Sequence, residues 1–187
     1  MNALTVAVDT SSVSKQQWLK TITEDNERFE ALPKKAKRVV IAQDVIARIR
    51  YNMLRPDSVF LSMEDEGDLE LHEDLQCPIN EQVCTACAKG SMFIALVGRA
   101  NHFKYRGDFS IQSDSVEIEK TKELFTQKQL DLMEIAFERN TYDWAKSVIL
   151  EAEEDRAIEF GNGFNNPDDR LIGICENIIE NNGTFKI

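Results

Sequence analysis

Long apolar runs are missing from this sequence. The longest, Met92 to Val97, lies between Lys89 and Arg99 and falls far short of the ~20 residues that cross a bilayer, so no membrane contact is expected. The first ten residues hold no basic stretch followed by an apolar one, so no secretory leader is expected either. A cytoplasmic setting follows, and in that reducing compartment the four cysteines imply thiols rather than disulfides. Histidine is scarce. His72 and His102 are the only two. They form no His-x-x-x-His pair, and neither has a serine or threonine two places on, which excludes helical metalloproteases and two-histidine phosphodiesterases. A G-x-S-x-G elbow, a phosphate-cradling glycine loop and a dinucleotide fingerprint are also missing. The last shortage is of positive charge: 22 bases stand against 33 acids, for a net charge of −11. Free nucleic acid is not an expected ligand, because phosphate binding rests on Lys and Arg neutralising the backbone. A protein partner with a basic surface suits this charge better.

What is present is an ordinary globular composition, 42% apolar and 29% charged over 187 residues, enough for one domain with a hydrophobic core. Residues 1–14 are small and polar and are expected to be disordered or frayed. Residues 15–187 carry no Pro- or Gly-rich linker and no internal repeat, so they are expected to form a single, mainly α domain of five or six helices. Ser14 is a candidate N-cap, followed by an apolar stripe of Trp18, Leu19, Ile22, Phe29 and Leu32 that ends at Pro33. Ile41, Val45, Ile46 and Ile49 fit the next helix face, although Val39–Ile41 are β-branched enough to leave a strand open. A small extended element is expected near residues 56–63, with Val59–Leu61 as the short strand. A helix from about Glu81 to Ala100 is apolar on most of its circumference and reads as the buried centre. Residues 101–125 read as loop. Thr126 caps a helix with Leu130, Met133, Ile135, Ala136 and Phe137 inward, and Tyr142–Phe160 forms another. In the last helix Asn166 is the N-cap, Pro167 the first residue, Asp168 and Asp169 favour the dipole, and Gly183 closes it.

The residues with latent chemistry are mostly cysteines. His72, Cys77, Cys84 and Cys87 put four possible zinc ligands within 16 residues. Their spacing is not one of those that recur in structural zinc sites, and Ala88 and Lys89 follow where a knuckle would place glycine. Small buried side chains are the leading reading of Cys84 and Cys87, with zinc as the alternative cofactor and otherwise none, and Cys175 falls on an apolar helix face. Gly67 could be the sixth position of a calcium loop running from Ser62 to Glu73, but Ser62, Glu64 and Glu66 then have the wrong reach for the first, third and fifth places. Glu134 with Glu138, and Glu176 with Glu180, read as exposed helix faces. The aromatics Trp18, Phe93, Phe137 and Trp144 read as core. Between Lys34 and Arg55 seven bases accompany one acid, Asp44, and read as a basic patch. The surface feature that departs most from the average is Glu64, Asp65, Glu66, Asp68, Glu70, Glu73 and Asp74, seven acids without an interleaved Lys or Arg.

The segment Arg38–Ile46, then Cys84–Gly90 leading into Met92 and Phe93, then Gln129–Leu130 with Glu134 and Ala136–Glu138, resembles a set of proteins from bacteria and their phages without an assigned activity. The resemblance spans roughly residues 38–140 and implies an origin and a compartment, the host cytoplasm, but no site. With no catalytic constellation in view, the expectation is a non-enzymatic, acidic interaction protein, plausibly phage-encoded, that binds or inhibits a host or defence-system protein through the seven acids. The alternatives are a metal- or thiol-dependent enzyme or sensor built on Cys77, Cys84 and Cys87, and a small-molecule-binding helical protein.

Overall fold

The computed structural model describes residues 13–24, 26–63, 83–100, 121–140 and 149–187. Helix α1 (Lys15–Glu24) starts where Ser14 Oγ accepts the Gln17 N–H at 3.3 Å. The short α2 (Asn26–Glu30) follows, and Leu32 closes it by bonding back to the Phe29 carbonyl at 3.0 Å. Pro33 has a double part. It cannot continue a helix, yet its fixed φ of −65° makes it the N-cap of α3 (Lys34–Arg50). The basic run and Val39–Ile41 are therefore all helical. Burial of Val40, Ile41, Val45 and Ile46 outweighs the modest β preference of branched side chains.

At the end of α3 Asn52 takes a left-handed conformation (φ 55°), which asparagine tolerates, and the chain turns into a three-stranded sheet. Strands β1 (Leu54–Pro56), β2 (Ser62–Met63) and β3 (Cys84–Ala86) lie in the order β1-β3-β2, with β1 parallel and β2 antiparallel to β3. The register pairs Leu54 with Cys84 and Met63 with Cys84 from the other side. Two features of the sequence reading change here. The helix placed at 81–100 exists but begins only at Ala88, as α4 (Ala88–Ala100). The residues before it are claimed by neighbours instead: the Cys84 N–H donates to Met53 O at 3.0 Å and the Cys87 N–H to Val59 O at 2.6 Å. Val59–Leu61 is not a strand but the link between β1 and β2. That link crosses the head of α4 so closely that a Cβ on Gly90 would sit 1.5 Å from the Phe60 carbonyl oxygen, so only glycine fits.

Residues 121–124 form a helical turn rather than loop. Helix α5 (Gln127–Glu138) carries the expected cap, Thr126 Oγ1 accepting from the Gln129 N–H. Helix α6 (Glu151–Asn162) has Leu150 at its N-cap, with Glu153 reaching back to the Leu150 N–H at 3.2 Å; residues 142–148 of the expected Tyr142–Phe160 helix lie outside the described residues. Helix α7 (Pro167–Glu180) follows its sequence signals: Asn166 Oδ1 accepts from the Asp169 N–H at 2.8 Å, and Gly183 adopts φ 82° beyond its end. Helix α3 packs on α7, α5 on α6, and α4 touches both α3 and α5. The molecule is thus a mainly helical single domain with a small sheet at the head of its central helix. Phe93, Ile94 and Val97 are almost fully buried, as are Trp18 and Phe137. Among the described residues no helix is long and apolar enough to cross a membrane.

Candidate functional site

The polar chemistry of the described chain concentrates where the sheet meets α4 and α5. Helix α5 presents Gln127, Asp131, Glu134 and Glu138 at spacings of four, three and four, which lines them along one face. Opposite stands the head of α4. The Cys87 carbonyl accepts both the Ser91 N–H (2.9 Å) and the Ser91 hydroxyl (2.7 Å). Glu134 Oε2 accepts the Lys89 N–H at 3.2 Å, satisfying one of the unpaired amides at a helix start and placing a carboxylate at its positive end. The Lys89 ammonium reaches Asp131 at 2.8 Å, and Asp131 also takes a bond from Gln127 at 2.7 Å. Ser58, on the β1–β2 link, donates to Glu138 at 2.9 Å. The seam therefore ties three pieces of chain together through side chains.

Burial pushes the Glu134 carboxyl above its ordinary range, against the pull of the Cys87 thiol, the Lys89 charge and the Lys89 amide. Burial also raises the Cys87 thiol, with the Glu134 charge adding to it, although the amides of Gly90 and Lys89 oppose. The Cys87 thiol donates to the Phe60 carbonyl at 4.0 Å, and its raised pKa keeps it protonated. Cys84 is fully buried on β3, and burial lifts its thiol to about 11 although the Arg48 guanidinium works the other way. The two thiols of the C-x-x-C spacing have different surroundings, Arg48 of α3 for one and Glu134 of α5 for the other. All three described cysteines are free and buried, Cys175 included. Among the described residues no three His, Cys, Asp or Glu side chains come together as a metal site. His72 and Cys77, and the acids Glu64, Asp65, Glu66, Asp68, Glu70, Glu73 and Asp74, lie outside the described residues, as does Trp144. In the sequence these acids follow β2, whose Ser62 and Met63 pair antiparallel with Thr85 and Cys84 of β3.

Two readings of charged residues need correction. Glu134 and Glu138 are half-buried partners in the seam, not an exposed face, whereas Glu176 and Glu180 are exposed. The bases of Lys34–Arg55 do not form one patch. Lys34 donates to the Glu123 carbonyl, Lys37 pairs with Glu30, Arg38 bonds Gln129, and Arg48 is buried. Asp44 is buried as well. It takes a bidentate pair from Arg99 (2.6 and 2.9 Å) and a bond from the Trp18 indole (3.2 Å), while Arg48 lies 5.6 Å from the Trp18 ring centre. Asp44 and Arg48 share a helix face with Ile41, Val45 and Ile49, a sequence signal that could have marked them as interior. Arg170 was missed altogether. It is buried and donates to the Phe137 and Gly161 carbonyls at 2.7 and 3.2 Å, closing the C-terminal ends of α5 and α6.

No protein family, curated protein or solved structure matches the chain. Its own residues are the whole basis for a functional reading.

Proposed function

We propose that this protein is an acidic, cytoplasmic interaction protein, plausibly phage-encoded, that binds and restrains a host or defence-system protein with a basic surface. The observation that carries the reading is the run of seven acids between residues 64 and 74 without a Lys or Arg, which follows β2 directly in the sequence. Two further features support it. Two buried carboxylates of the described chain are engaged internally, Asp44 with Arg99 and Asp131 with Lys89. The buried thiols are held in their protonated form, which removes the thiolate that a cysteine enzyme or redox sensor requires.

A carboxylate-rich segment speeds encounter with basic partners and loses strength as salt screens exposed charges beyond ~8 Å. The test is a pull-down from host lysate with the native chain and with all seven acids changed to Ser. The native chain is expected to capture a discrete basic protein, less of it as salt rises, and the variant to capture little. Equal capture by both overturns the acidic contact. The metal- or thiol-dependent alternative makes its own demand, since a site on Cys77, Cys84 and Cys87 would hold zinc. Protein purified without added metal is expected to contain none, and near-stoichiometric zinc by elemental analysis would overturn that expectation.

A further inference from the structure

Helix α1 is attached differently from the other helices. Its apolar side chains form a small cluster of their own, Trp18 and Ile22 against Ala47 and Met53, with Leu19, Val13 and Tyr51 at the margin, separate from the main core. Lys15, Gln16, Gln17 and Lys20 face solvent. The helix has ten residues, with no acid in its first turn and no base in its last, so by itself it is marginal. Its hold on the body includes Trp18, which bonds Asp44 and covers Arg48, Ile22, the Tyr51 hydroxyl donating to the Val13 carbonyl, and a contact with α4. Beneath it lie Asp44, Arg48 and Arg99, three charged side chains kept from water.

We propose that α1 is a releasable latch over this charged floor, opening as a unit while the rest of the domain stays folded. Lifting it breaks the Trp18 and Tyr51 bonds and exposes Trp18 and Ile22. It leaves the Asp44–Arg99 pair intact, because that pair joins α3 to α4. It also returns water to the Arg48 guanidinium, and rehydrating a buried charge offsets part of the lost apolar burial. Phe29 of α2 belongs to the main core and packs near Arg99 and Lys37, so α2 stays in place. The closed latch excludes solvent from the Arg48 guanidinium, and the open one admits it.

Native-state hydrogen exchange on the full chain tests this. Amides 18–24 are expected to exchange about ten-fold faster, or more, than amides 127–138 and 167–180, because local opening costs less than global unfolding. Tyr51→Phe, which keeps the ring and loses only the Val13 bond, is expected to speed 18–24 further and leave 127–138 unchanged. Trp18→Ala should do the same more strongly. Amides 18–24 as slow as 127–138 in the native chain would overturn the latch, and so would variants that speed all helices alike. The native-chain comparison decides the matter even if Trp18→Ala does not fold.

Discussion

At Glu134, burial and hydrogen bonding pull in opposite directions, and burial is the stronger. The folded chain therefore binds this proton more tightly than the unfolded chain does. The stabilisation that protonation brings is fully present below the ordinary carboxyl range and is lost as pH rises through the raised folded value. Glu134→Gln keeps an acceptor for the Lys89 amide without the charge. Its stability relative to the native chain is expected to improve as pH rises above the ordinary carboxyl range and the native carboxyl ionises. Urea titrations of both chains across that rise check the sign, and a relative stability that falls with pH would show that the bonds to Cys87 and Lys89 outweigh burial. The same reasoning explains why a spacing of cysteines was an ambiguous signal. What a thiol can do depends on which helix it faces, and Cys84 and Cys87 face different ones.

Helix α4 is the element on which the others converge. Its mid-section is buried all round, and Phe93, only 1% exposed, lies 5.9 Å from the Phe60 ring on the link that crosses its head. Phe93→Ala is expected to cost about 3–5 kcal/mol, the loss of transfer energy plus a cavity that close packing cannot fill. A loss under about 1 kcal/mol in a denaturant titration would mean that the helix is not central. The length of α4 is a different matter from its burial. Apolar periodicity runs back through Cys84, but a helix start is a competition for amides, and β1 and the Val59 carbonyl win them. At α7 the competition has no second contender, since Asn166, Pro167 and Gly183 each act within one turn of themselves.

Across the whole molecule, buried charge joins elements distant in sequence. Asp44 and Arg99 are 55 residues apart and lock α3 to α4 by two short bonds. Asp44→Ala leaves that arginine buried without its carboxylate and is expected to cost about 3–5 kcal/mol. Replacing the pair together, as Asp44→Leu with Arg99→Met, is expected to cost less than Asp44→Ala alone, because no charge is then stranded. Equilibrium unfolding of the two variants checks the order, and a double variant that is the less stable would show that the pair does more than cancel its own burial. The exterior obeys other rules. A net charge of −11 bears on how the protein meets other charged surfaces and does not select a fold.

The helical class, the buried stripe of α4, the caps of α1, α5 and α7 and the inward place of Cys175 are all legible in the chain, because each depends on residues within a turn or two of one another. Tertiary structure alone decided the rest. Whether Cys84–Ala86 is helix or strand depends on Leu54 and Ser62, residues that no local pattern links to it. Glu134 and Arg170 look like solvated charges until another element's amides or carbonyls arrive to replace water. A charge is interior or exterior according to what comes to meet it, and that meeting is set by packing over long sequence distances.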